Sequence, residues 1–240
     1  MNRHDTAVHS SSPSSGLSTE LCAAIAEIHR RGWCEGTGGN FSCVTKREPL
    51  QLLMAPSGVD KGKVKATDLI TVDCRGAVLE GMGQASAETR LHLTIVETTG
   101  AGAVLHTHSQ AATLLSRYAM VQGQDGQPAS AKEAEQDRSG CYLRMQGLEM
   151  LKGLEGITSH NQNIAIPVFD NDQDLDRLST RCRPHLQEAP YSLLISGHGL
   201  YVWGRDLKIT HRHLEILEFL LEQHWRQLLL QAATGIGGLS

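Results

Sequence analysis

His106 and His108 stand two residues apart in Ala103-Val104-Leu105-His106-Thr107-His108-Ser109. Neutral imidazole offers a nitrogen lone pair near pH 7, and two on one face are a start toward a metal site. The segment reads as a β-strand, a short apolar run entered from Gly100-Ala101-Gly102 and followed by polar residues. Side chains two apart on a strand point the same way, so both rings are expected to project together. His198 ends a second apolar run, Leu193-Leu194-Ile195-Ser196-Gly197-His198-Gly199. Three imidazoles with an open fourth position are the usual protein share of a catalytic zinc site. For each ring taken singly, a core histidine with one satisfied nitrogen is the competing reading.

The sequence carries a control. His211-Arg212-His213 has the same spacing, but residues 206–230 read as a long amphipathic helix. Two residues on a helix are separated by roughly 200° of rotation, so these rings face opposite ways and are read as helix surface rather than ligands.

Two glycine-rich segments suit an anion. Gly36-Thr37-Gly38-Gly39-Asn40-Phe41-Ser42 combines glycines, which let backbone N–H groups approach closely, with hydroxyl and amide donors. It lacks the glycine-lysine-hydroxyl ending of a P-loop. Ala55-Pro56-Ser57-Gly58-Val59-Asp60-Lys61 sets a turn beside a lysine charge. The first segment is equally readable as a plain turn, and the second, taken alone, reads more readily as a surface turn. Ser86 is expected to cap a helix over residues 87–98, whose positive end suits a phosphate.

Two carboxylates complete the candidates. Glu88 falls in the first turn of that helix, where complementing the helix dipole also explains it. Glu149, in Gly147-Leu148-Glu149-Met150-Leu151-Lys152-Gly153, is an acid among apolar neighbours. On an exposed helix face it is bland; in a cleft, desolvation raises its pKa toward the range useful for proton transfer.

The elements that must position these groups are short. Apolar spacing predicts helices over 17–31, 87–98, 110–116, 143–154, 172–186 and 207–230, with Ser18 capping the first. Strands are expected near 41–44, 50–55, 69–73, 78–80, 103–107, 163–168, 191–195 and 200–203. Strands mostly follow one another across turns, which favours a mostly antiparallel sheet faced by helices. Residues 122–139 are polar and read as a surface loop that could close over a substrate.

With 240 residues, 40% hydrophobic and 20% charged, the chain fits one domain, expected at 18–240 behind a disordered tail at 1–17. A net charge of −4 gives no reason to expect nucleic acid or a membrane surface as partner. No apolar run is long enough to span a bilayer. The six cysteines are scattered without a C-x-x-C pair, and no export signal is recognisable, so reduced thiols in the cytoplasm are expected. No G-x-G-x-x-G joins a strand to a helix, which sets aside a dinucleotide-dependent oxidoreductase.

GTGGNFS (36–42), APSG (55–58), SAE (86–88), HTH (106–108) and GHG (197–199) occur in that order. Together they resemble the class II aldolase/adducin superfamily of zinc-dependent sugar-phosphate lyases, from about Leu21 to Leu229. Within it, GWCEGTGGN, APSGVDK, GLEMLKG and GHGLYVWG look most like the dehydratase branch acting on methylthioribulose 1-phosphate in methionine salvage. The resemblance implies an α/β, three-layer fold with a mostly antiparallel central sheet flanked by helices. It implies one Zn2+ per subunit on His106, His108 and His198. Glu149 would be the acid/base, and Glu88 would contact the metal or move protons. Thr37, Asn40, Ser57, Gly58, Ser86 and Lys61 would cradle the substrate phosphate. A homotetramer with active sites at subunit contacts is implied as well.

The implied reaction dehydrates 5-methylthioribulose 1-phosphate to 2,3-diketo-5-methylthiopentyl 1-phosphate. A Lewis acid on the C2 and C3 oxygens acidifies the C3 proton, and a general acid assists loss of the C4 hydroxyl. Glu149 is the candidate proton donor; Glu149, Glu88 and water all remain open for the C3 proton. A class II aldolase or epimerase on another ketose phosphate is the sibling reading, since all begin by the same deprotonation. A non-catalytic adducin-like interaction domain is the reading from another class, and it predicts a degraded metal site.

Overall fold

The computed structural model describes residues 13–122 and 141–235. The candidate lid, from residue 123 on, and residues 1–12 of the expected tail fall outside them. Nine strands among the described residues form one sheet: β1 (Asn40–Arg47), β2 (Leu50–Met54), β3 (Ile70–Asp73), β4 (Val78–Glu80), β5 (Ala103–Thr107), β6 (Cys141–Met145), β7 (Ile164–Phe169), β8 (Ser192–Ile195) and β9 (Gly199–Gly204). Their order is β4-β3-β2-β1-β5-β9-β8-β7-β6. Every neighbouring pair is antiparallel except β7 with β8. That parallel pair needs a crossover, and the helix between the two strands supplies it.

The helices are α1 (Pro13–Arg30), α2 (Thr89–Thr99), α3 (Gln110–Gln122), α4 (Leu175–Cys182) and α5 (Leu207–Thr234). They cover both faces of the sheet, because the central strands are apolar on both. On one face, Ala103 and Leu105 of β5 and Leu200 and Val202 of β9 share a core layer with three helices. These contribute Leu21, Ile25 and Ile28 from α1, Leu115 from α3, and Leu214, Leu217 and Leu221 from α5. Val104, Tyr201 and Trp203 face the other way, onto Leu91 and Ile95 of α2 and Leu178 of α4. Full burial of such a side chain is worth about 1.5–3 kcal/mol, so strands buried on both faces form the rigid part of the molecule. Those strands carry the histidines at their ends.

Several elements differ from expectation. α1 starts at Pro13, so Ser18 lies inside it; proline suits a first helical position because its missing N–H needs no partner there. Residues 143–154 are not a helix: β6 ends at Met145, and a single 3-10 turn spans Glu149–Gly153. Tyr142 and Arg144 alternate with the buried Leu143 and Met145, a strand pattern hidden by the apolar run that follows. α4 is capped by Asp174, which accepts from Arg177 N at 3.0 Å, and the helix therefore starts later than 172. α5 starts as expected, with Asp206 accepting from Ile209 N at 2.8 Å.

Candidate metal centre and its cavity

Strand register explains how distant residues meet. Asn40 of β1 lies opposite His106 of β5, and His106 lies opposite Tyr201 of β9. β8 and β9 form a hairpin in which Ile195 pairs with Gly199, so His198 sits in the turn beside the end of β5. Gly199 is required there: a Cβ on it would stand 2.0 Å from Thr107 O and 3.1 Å from ring carbons of both His106 and His108. Gly39, at φ +80°, serves similarly at the end of β1, where a Cβ would meet His106 O at 2.7 Å.

The result is a cluster of Glu88, His106, His108 and His198, each with one donor atom within 4.8 Å of the others. His106 Nε2 lies 2.8 Å from His108 Nε2 and 3.4 Å from His198 Nε2. Glu88 Oε1 lies 2.8 Å from His198 Nε2 and 3.6 Å from His106 Nε2. Ligands about 2.0–2.1 Å from a tetrahedral zinc ion are separated by roughly 3.3 Å, so the spacing suits a small divalent cation. The tautomer suits it too. His106 Nδ1–H donates to Leu200 O at 3.0 Å, which leaves the Nε2 lone pair facing the cluster. Burial, reinforced by the neighbouring imidazoles, pushes the pKa of His108 down to about 3, so its ring is neutral near pH 7.

Glu88 is held by two oppositely directed effects. Burial works to raise its pKa, but the imidazoles of His106 and His198 beside it outweigh burial and hold the carboxyl well below its usual range. Asn40 Nδ2 donates to Glu88 and lies 3.1 Å from Ser86 Oγ, tying the glycine-rich loop to the start of α2. Ser86 does not cap α2 directly; it accepts from Glu88 N at 3.3 Å, just ahead of the helix.

A cavity of about 370 Å³ opens beside the cluster. Thr37, Asn40, Ser57, Gly58, Lys61 and Ser86, six residues from three separate segments, all line it together with Glu88, His108 and His198. Lys61 is 1% exposed, so its segment is no plain surface turn. Its Nζ donates to Thr37 O at 3.1 Å and Val59 O at 3.3 Å, and burial pushes its pKa below the usual lysine value.

Glu149 is placed elsewhere. It is 70% exposed on the 3-10 turn, paired with Lys152 and 3.8 Å from His160 Nδ1, and does not line the cavity of its own chain. Its hydrogen bond with Lys152 holds its pKa below the usual range, opposite to the rise that burial in a cleft predicts. The buried Leu151 anchors the turn and leaves Glu149 pointing outward. His211 and His213 stay out of the cluster, as helical rotation requires. His213, expected at the surface, is fully buried instead, with Nδ1 3.0 Å from Trp203 O.

Sequence reasoning missed the remaining wall, Asn171, Asp172, Gln173, Leu175 and Leu178. Phe169 of β7 pairs in parallel with Ile195 of β8, which brings the following residues beside His198. No local signal announces that neighbour.

The sequence profile of the family described as Class II Aldolase and Adducin N-terminal domain matches residues 19–225. The chain belongs to the class II aldolase and adducin family. A methylthioribulose-1-phosphate dehydratase from Serratia proteamaculans (strain 568) is 40% identical over 215 residues, covering 88% of this chain and 95% of the relative. One of the same name from Sodalis glossinidius (strain morsitans) is 42% identical, covering 89% and 98%. Among solved structures, L-fuculose-1-phosphate aldolase from Thermus thermophilus aligns with TM-score 0.66 at 23% identity, covering 91% of this chain and 98% of its own. A sugar-phosphate aldolase from Thermotoga maritima aligns with TM-score 0.65 at 17% identity, covering 90% of this chain and 96% of its own. At these identities the structural likeness is one of fold: a class II aldolase sheet with helices on both faces.

Proposed function

We propose that this class II aldolase-family enzyme is a hydro-lyase that dehydrates 5-methylthioribulose 1-phosphate. The observation that carries the reading is the convergence of three imidazoles and a carboxylate on one point, at a cavity whose other wall offers glycine N–H groups, hydroxyls and a buried lysine. Relatives at about 40% identity over nearly their whole length bear the dehydratase name, which favours this reaction over the aldolase and epimerase siblings. The intact metal cluster argues against a non-catalytic adducin-like role.

His106, His108 and His198 would hold the cation, with Zn2+, one per subunit, best suited to the neutral imidazole set. Such an ion supplies Lewis-acid polarisation of the ketose carbonyl, which acidifies the adjacent C–H. Thr37, Asn40, Ser57, Gly58 and Ser86 would hold the phosphate through N–H and O–H donors, with Lys61 as the cation behind them. Glu88, beside two of the histidines, would fill a coordination position or accept the C3 proton. Glu149 would donate the proton that lets the C4 hydroxyl leave.

Glu149 can do so only in another setting than its own chain's cavity. The reading therefore includes a symmetric homotetramer in which Glu149 of one protomer enters the site of the next. Displacing Lys152 and losing solvent there would raise its pKa toward a useful acid. One catalytic domain over 18–240 and a cytoplasmic setting go with this reading; the six cysteines, all among the described residues, form no disulfide, as a reducing compartment favours.

The test is incubation of the zinc-loaded protein with methylthioribulose 1-phosphate and mass spectrometry of the product. Loss of one water with the carbon chain intact supports the dehydratase. Cleavage to a ketose-derived phosphate and an aldehyde points instead to the aldolase and gives Glu88 the acid/base role.

A further inference from the structure

Behind the metal cluster, on the opposite face of β5, lies a carboxyl group that the reaction does not use. Glu218 of α5 is 2% exposed, among leucines that pack on the sheet. Its Oε1 accepts a hydrogen bond from Thr107 Oγ1 at 2.5 Å, and the Ser109 side chain also bonds to it. Thr107 and Ser109 flank His108.

Each is also anchored in a second element. Thr107 is the last residue of β5 and pairs with Leu200 of β9. Ser109 caps α3, its Oγ accepting from Ala112 N at 3.1 Å. Between them, the His108 backbone N–H donates to Trp33 O at 2.8 Å. One hydroxyl can donate and accept at once, so Ser109 can hold α3 and Glu218 together. Strand alternation sends Thr107 to the α5 face and His106 to the cavity face. The carboxyl thus grips the segment from behind, at the two residues that set where the His108 ring stands.

We propose that Glu218 is the positioning residue of the metal centre: through Thr107 and Ser109 it fixes the chain that aims His106 and His108. This rests on the reading that the histidines hold a divalent cation. The role gives an acid a use in an apolar layer, where desolvation opposes it and a leucine would pack without that cost. Burial pushes its pKa up to about 7, and the hydrogen bonds from Ser109 and Thr107 oppose that rise.

The test compares the full-length wild type with Glu218→Leu, Glu218→Gln, Thr107→Val and the Thr107→Val/Glu218→Leu double variant. Co2+ affinity is measured against a competing chelator and the site's geometry by the visible Co2+ spectrum, at a temperature where each variant is folded. Glu218→Leu is expected to weaken Co2+ binding by about 10–100-fold, the range for lost outer-shell partners, and to alter the spectrum. Glu218→Gln keeps an acceptor and should restore most of the affinity. Thr107→Val, nearly isosteric, removes the same hydrogen bond from the other side, and the double variant should bind no worse than Glu218→Leu alone. Wild-type affinity and spectrum in a folded Glu218→Leu protein, with only a lower Tm, would reduce Glu218 to a core residue and overturn the proposal. His106→Ala separates the two levels: if it binds Co2+ as tightly as wild type, the metal reading itself fails and takes this role with it.

Discussion

Replacing Glu218 by glutamine should change how stability depends on pH, by an amount the structure sets. Burial, opposed by hydrogen bonds from Ser109 and Thr107, raises its pKa from 4.5 to about 7, and Glu222 adds repulsion. Arg31, Glu215, Glu222 and Arg226 are the charged residues that line the same cavity as Glu218. The native state therefore keeps the proton up to about pH 7, while the unfolded chain releases it near 4.5. Between those values the native state binds more protons, so stability falls as pH rises. The stabilising contribution of the neutral form is intact below about pH 4.5 and gone above about pH 7. At about 1.4 kcal/mol per pH unit, the loss is on the order of 3 kcal/mol. Glutamine does not titrate, so urea unfolding of both proteins with chelator at about pH 5 and about pH 8, either side of most of that window, isolates the effect. The variant should gain on wild type by most of that amount at the higher pH. A difference that stays constant across the window, or moves the other way, refutes the argument.

Three further outcomes can be measured. Glu149→Gln should keep fold and metal but slow turnover by about 10²–10⁴-fold, the usual share of a general acid. Mixed with His106→Ala subunits and reassembled, it should regain activity, because hybrids hold sites with both groups intact; no recovery would place the acid within one chain. Lys61→Met removes the cation behind the phosphate cradle and the bonds to Thr37 O and Val59 O, and should raise KM far more than it lowers kcat. Initial-rate kinetics read the split, and an unchanged KM would detach Lys61 from the phosphate. Gly199→Ala forces a Cβ against Thr107 O at 2.0 Å, so β5 and β9 must part; a loss beyond about 4 kcal/mol is expected by thermal or urea unfolding, and a stable variant would contradict the register.

Local chemistry made much of this protein legible in its sequence. The alternation at Leu105-His106-Thr107-His108 already required two rings on one face, and the same spacing in α5 already required His211 and His213 to diverge. Most strands and the start of α5 follow from neighbours a few residues away, which is why they matched, whereas the caps expected at Ser18 and Ser86 did not. The 143–154 segment did not, because a short apolar run satisfies strand and helix patterns alike until its partner strand, β7, is known.

What joins distant parts of the chain belonged to the tertiary structure. The pairing of Ile195 with Gly199 and of Phe169 with Ile195 decides that His198 and the wall at Asn171, Asp172 and Gln173 meet the cluster. Packing of α5 against β5 decides that Glu218, an ordinary helical acid by sequence, reaches Thr107. Exposure decided Glu149: the same apolar neighbours that suggested a cleft are spent on anchoring a surface turn, and its carboxylate faces outward. Periodicity tells which way a side chain leaves its own element; only the assembled fold tells what it meets there.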